Sequence, residues 1–176
     1  MALAMMDTNK RYGIVSRLLH WGMALLFVWQ FSSAAARLFF EDTPLESFLW
    51  GTHSQVGVAL LALVVVRGTW ALINASRRPA SVSVMAKLGH LALYGLMIAV
   101  PTIALIRQYG SGRALDVFGV NLMPGFDGEK IAWMTELGGL LHGELGWALL
   151  ALSVGHVVMA ILHRKLTNHD VLSRMA

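Results

Sequence analysis

The chain contains no cysteine. That excludes disulfides, thiolate metal centres, iron–sulfur clusters and the C-x-x-C-H attachment of c-type haem, so any porphyrin held here is held without a covalent bond to the protein. Charge is scarce too: 14% of the 176 residues are Asp, Glu, Lys or Arg, whereas 56% are hydrophobic. A soluble domain carries about 25% charged residues. Proline is sparse, with four in the whole chain, and no linker, low-complexity stretch or internal repeat interrupts it.

What remains is long apolar runs. The mean hydropathy is +0.61, and a membrane-crossing helix needs about 20 mainly apolar residues. Ile14–Ala36, Phe48–Leu72, Leu88–Ile106 and Gly139–Leu162 each qualify. They use most of the chain. The expectation is an all-α membrane protein, a single four-helix transmembrane bundle over 1–176 with one long connection at 107–138. Lys10 and Arg11 before an apolar run ending in Ser33–Ala36 also resemble a signal peptide, but the run exceeds the 7–15 apolar residues of a signal core, so the first helix is expected to be retained.

The net charge of +4 and pI near 9.9 raise the question of nucleic acid, which the placement of the charges answers. With the N-terminus on the cytoplasmic side, that side carries Lys10, Arg11, Arg17, Arg77, Arg78, Lys87, Arg164, Lys165 and Arg174, with Arg67 near the inner end of the second span. The outer side keeps Arg37, Arg107, Arg113 and Lys130, and most of the acidic residues. The positive-inside rule thus predicts both termini in the cytoplasm, with lipid rather than nucleic acid as the partner.

The two short connections, Leu38–Ser47 and Asn74–Ala86, join antiparallel neighbours. The third is long and rich in turn formers, and its later part, Gly128–Glu136, is expected to form a short interfacial helix with Trp133 at headgroup depth. Pro101 lies inside the third span and is expected to kink it. Trp21, Trp50, Trp70, Trp133 and Trp147 lie near span ends and read as an interface belt, with Trp21 also beside His20.

Seven histidines carry the functional argument. An ionisable residue inside a span is a functional hypothesis by default. His20 lies one to two turns inside the inner start of the first span, and His53 is similarly shallow at the outer start of the second. His142 opens the fourth span outside, and His156 lies fourteen residues on, which is roughly 21 Å deeper and within about 40° of the same helix face. One helix therefore offers an imidazole to each leaflet. Partners at matching depth are His53 for His142 and His20 for His156. Each pair suits the two axial positions of a haem iron held between helices. Gly57 and Gly146 lie four residues after His53 and His142, leaving a gap one turn along each ligand's face. Close helix packing would explain the same glycines.

Rival chemistries for these histidines are proton relay, direct metal binding and interhelical hydrogen bonding. Zinc wants three or four close protein ligands, whereas these histidines divide into two pairs with no carboxylate at their depth except Glu144 at the rim. His90 is near the depth of His20 and reads as a hydrogen-bond partner of a haem propionate or a quinone, with ligation in place of His20 as the alternative. His163 is a candidate quinone contact or an interfacial anchor, and His169 a solvated tail residue. Arg67 lies fourteen residues after His53, with a propionate or the inner headgroups as its partner.

With these residues in view, the sequence resembles the bacterial cytochrome b561 family. The resemblance rests on Arg11-Tyr12-Gly13 leading to His20-Trp21, on His53 with Gly57 and Val66-Arg67, on Gly89-His90-Leu91, on His142, His156 and His163, and on the ending Asp170-Val171-Leu172-Ser173-Arg174-Met175. It implies four helices and two haem b, with His20, His53, His142 and His156 as axial ligands and His20 favoured over His90. It also implies ubiquinone as a redox partner. One activity known in the family takes an electron from superoxide at the outer face and passes it to ubiquinone. A haem b anchor that delivers electrons from a periplasmic dehydrogenase or hydrogenase to quinone shares this architecture, and a haem-free proton or metal transporter is the rival from another class.

Overall fold

The computed structural model describes residues 5–166 and 171–175, without the side chains of 164–166. His169 and Asp170 lie outside the described residues. The elements in chain order are α1 (Ile14–Phe39), α2 (Pro44–Trp50), α3 (His53–Ile73), α4 (Val84–Gly110), β1 (Leu115–Val117), β2 (Val120–Met123) and α5 (Ala132–Leu166). Four helical segments are long and apolar enough to cross a membrane, as expected.

Local chemistry sets most boundaries. Thr43 caps α2 by accepting a hydrogen bond from Glu46 N at 3.2 Å, with Pro44 following at the first helical position. Ser83 caps α4 in the same way, accepting from Ala86 N at 3.0 Å. Three expectations are corrected. The second span is two helices, because the chain breaks at Gly51-Thr52, where Thr52 Oγ1 donates to Leu49 O at 2.9 Å and accepts from Trp29 Nε1 at 2.8 Å. The separate interfacial helix at 128–136 does not form: α5 starts at Ala132 and takes in Trp133 and Glu136 as its first turns. The long connection accordingly shrinks to 111–131 and holds an antiparallel hairpin. Its two-residue turn, Phe118-Gly119, has φ of 49° and 81°, the primed-turn geometry that matches strand twist and favours glycine.

Helix α1 packs on α3, α3 on α4 and α4 on α5, while direct contact of α5 with α1 and α3 is sparse. The α4–α5 crossing is close: a side chain at Gly110 would collide with Met134, and one at Gly138 with Arg107. Met23, Leu60, Val64, Met97 and Leu149 form the buried core. The segments around Tyr12 and Arg174 meet at one end of the bundle, the termini end, where Tyr12 N donates to Arg174 O at 3.0 Å. A buried carboxylate organises that end. Asp7 Oδ1 accepts from Gly13 N at 2.8 Å and Ser16 Oγ at 2.7 Å, and its Oδ2 pairs with Arg78 Nε at 3.1 Å. The hairpin occupies the opposite end, the loop end, with Leu115 and Val117 buried.

Candidate functional site: two imidazole pairs

At the loop end, His53 begins α3 and His142 lies ten residues into α5. Their ring centres are 6.3 Å apart with planes at 86°. At the termini end, His20 of α1 and His156 of α5 are 6.4 Å apart at 73°. Both pairs thus bridge the sparse seam between α5 and the α1–α3 layer.

Two further observations bear on what the pairs can hold. A metal–imidazole nitrogen bond is about 2 Å, so two imidazoles facing each other across one metal have ring centres roughly 6 Å apart. Both pairs match that separation, whereas His90 and His156 are closer, at 5.2 Å. A side chain built at Gly146 would meet nothing within 4 Å, and one at Gly57 only Gln30 Nε2 at 3.4 Å. Close helix packing therefore explains Gly110 and Gly138 but not Gly146, which leaves open space four residues from His142, while Gly57 faces the Gln30 side chain of α1. A flat macrocycle with two axial nitrogens fits this arrangement. Among the described residues, no three His, Asp or Glu side chains converge as a protein-only metal site would require.

The hydrogen bonds around the loop-end pair determine which ring nitrogens are available. Ser33 is fully buried. Its hydroxyl donates to Gln30 O at 2.7 Å, so toward His53 Nδ1, also at 2.7 Å, it acts as acceptor. His53 therefore carries its proton on Nδ1, and its Nε2 lone pair accepts from the Gln30 amide at 3.1 Å, a bond that a metal at Nε2 would displace. His142 Nδ1 donates to Val100 O at 3.1 Å, which places the lone pair of that ring on Nε2. An N–H held by a serine or a main-chain carbonyl is the usual support of a metal-bound imidazole. Trp50 stacks on His53 with centres 4.4 Å apart, and Arg37, paired with buried Glu46 at 3.0 Å, overlies Trp50.

The other sequence candidates are placed as follows. Arg67 is half-buried, its guanidinium 5.7 Å from the centre of the Tyr94 ring and within electrostatic reach of His20. His90 is exposed, and its Nδ1 donates to Ala86 O of its own helix at 2.6 Å. His163 likewise donates from Nδ1 to Met159 O at 3.0 Å. Trp21 sits edge-on to His20 at 5.2 Å and donates to Met175 O at 3.0 Å, so it does more than anchor the interface. Sequence reasoning missed Ser33, Gln30 and Glu46. The available signal was a serine and a glutamine in the middle of an apolar span, where a polar group needs a partner.

Fold and histidines define a class: a helical membrane protein with a facing imidazole pair at each end of one bundle. The prokaryotic cytochrome b561 family profile matches residues 11–176. Cytochrome b561 homolog 2 of Escherichia coli (strain K12) is 30% identical over 181 residues, covering 96% of this chain and 93% of the relative. A protein of Yersinia pestis described as a probable superoxide oxidase, CybB, is 26% identical over 174 residues, covering 95% and 96%. The chain belongs to the prokaryotic cytochrome b561 family. It is a multi-pass bacterial membrane protein of haem b electron transfer.

Proposed function

We propose that the chain holds two haem b groups, one between His53 and His142 and one between His20 and His156, and exchanges electrons with ubiquinone across the bacterial inner membrane. The observation that carries this reading is the repetition of one ring separation, 6.3 and 6.4 Å, at two sites sharing a single helix. When bound, haem b supplies reversible one-electron chemistry. The chain's contribution is position and electrostatics. Helix α5 sets the spacing between the sites, Ser33 and Val100 O hold the imidazoles of the loop-end pair, and Arg67 offers a cation to a propionate near His20. His90 and His163, near the termini end, present ring nitrogens suited to a quinone. The distribution of Lys and Arg favours cytoplasmic termini.

Purified protein is expected to show a Soret band and to yield two haem b per chain, extractable by acid acetone since no thioether can form. Pyridine haemochrome assay against protein mass checks this, and a ratio near one would remove one histidine pair from the reading.

The electron donor at the loop end is proposed to be superoxide, on the strength of the relative described as a probable superoxide oxidase. Beside the hairpin lies a cleft of about 360 Å³ lined by Tyr109, Arg113, Leu122 and Phe126 among others. Arg113 is exposed there, while the stem of Arg107 packs against Gly138, so Arg113 is the cleaner probe. Arg113→Gln is expected to slow haem reduction by superoxide roughly tenfold at low ionic strength and to flatten its salt dependence. Unchanged stopped-flow rates at low salt would place the donor elsewhere.

A further inference from the structure

The two imidazole pairs are not equivalent in how the protein holds them. At the loop end, both Nδ1–H groups are bonded to oxygen: His53 to buried Ser33 Oγ at 2.7 Å, and His142 to Val100 O at 3.1 Å. At the termini end, His20 Nδ1 is buried and has no hydrogen-bond partner among the described residues. An acceptor on the outer N–H of an imidazole gives the ring more imidazolate character and makes it a stronger electron donor to a metal on the other nitrogen. A stronger donor favours the oxidised metal and lowers its reduction potential.

Charge acts in the same direction. Arg67, within reach of His20, rests on the Tyr94 ring and forms no ion pair with a carboxylate among the described residues. Arg37, on the His53 side, is neutralised by Glu46 at 3.0 Å and Glu41 at 3.4 Å. A cation that pairs with a propionate at the termini-end site cancels a negative charge there and so favours the reduced, less positive state.

We propose that Ser33 is a positioning residue for His53, and that its hydrogen bond, which has no counterpart at His20 among the described residues, makes the loop-end site the lower-potential one. With a one-electron group bound at each pair, an electron delivered to the loop end would favour the termini end, the loop-end group losing the electron that the termini-end group gains. The inference rests on the two-haem reading, and it adds to that reading the side chain that helps set the potential difference between the two sites.

The test is a spectroelectrochemical titration of the purified full chain, begun only once two haems per chain have been counted, so that failure of the parent reading is seen separately. His142→Ala identifies the loop-end component as the one it deletes. In the unaltered protein that component should have the lower midpoint potential. Ser33→Ala should retain both haems and raise the lower potential by an amount equivalent to about tenfold in the one-electron equilibrium, about 59 mV, leaving the higher one in place. Ser33→Thr, which keeps the hydroxyl, should restore the original value, a rescue that a purely packing role would not produce. If Ser33→Ala sheds the loop-end haem, Ser33→Cys, of similar shape and weaker acceptor strength, should move the potential in the same direction. A loop-end component of higher potential, or an unmoved potential in whichever of Ser33→Ala and Ser33→Cys keeps both haems, overturns the proposal.

Discussion

Replacing His142 with alanine is expected to delete one complete haem component, one set of α-band features and one midpoint potential, while the second component survives in a folded, membrane-inserted protein. His53→Ala should delete the same component, and His20→Ala and His156→Ala the other. The grouping follows from geometry. His142 and His156 share α5 but lie roughly 21 Å apart along it, and each faces a ring from a different helix at 6.3 or 6.4 Å. Alanine removes the nitrogen and keeps helix propensity, and insertion depends on the apolar spans and flanking charges. His90→Ala is the control. At 5.2 Å from His156, on an exposed position and bonded to its own helix, His90 is too close for a metal to lie between the two rings. Both haems should therefore remain. Absorbance and potentiometric titration of the five variants read this directly, and loss of the termini-end haem in His90→Ala together with its survival in His20→Ala would reassign that ligand to α4.

The second large effect lies away from the histidines. Asp7→Ala is expected to lower stability in detergent by about 3 kcal/mol, because removing one partner of a buried ion pair leaves the rest of the network unsatisfied. Asp7 is 2% exposed, and it ties Gly13 N, Ser16 Oγ and Arg78 Nε, while its own N–H donates to Asn74 Oδ1 at 3.3 Å. Gly13 completes the arrangement, since a side chain there would collide with the backbone of Met5 and Met6. Trp70 Nε1 donates to Ser16 Oγ at 3.0 Å, which couples α3 to the same knot. Thermal unfolding followed by circular dichroism checks the effect. A loss below about 1 kcal/mol, the range of exposed pairs, would show that this end is held together by apolar packing instead.

Membrane spans and helix ends differ in how well the sequence reveals them. Hydropathy reports where lipid contact ends, whereas a helix continues for as long as its backbone bonds are satisfied. That is why α5 starts at Ala132 although the apolar run begins at Gly139, and why α1 reaches Phe39, beyond the apolar run that ends at Ala36. The hairpin at 115–123 carries no strong alternation over so short a stretch, so only its turn formers were legible. The break at Gly51-Thr52 depends on a hydrogen bond from Trp29 on another helix, a long-range contact that local propensity cannot express.

The sequence by itself determined the solvent, the number of crossings and the family, because burial in lipid demands long apolar runs and because the histidines recur at spacings that place them on helix faces at two depths. Tertiary structure alone decided the rest. It gave the two imidazole pairs the same ring separation, turned Ser33 from a small residue in an apolar run into the acceptor for His53, and buried Glu46 and Asp7, which read in sequence as surface charge. Depth along a helix is a one-dimensional quantity that residue counting supplies. Which side chain faces which across a gap depends on the rotation and crossing of whole helices, and those are set by packing among residues far apart in the chain.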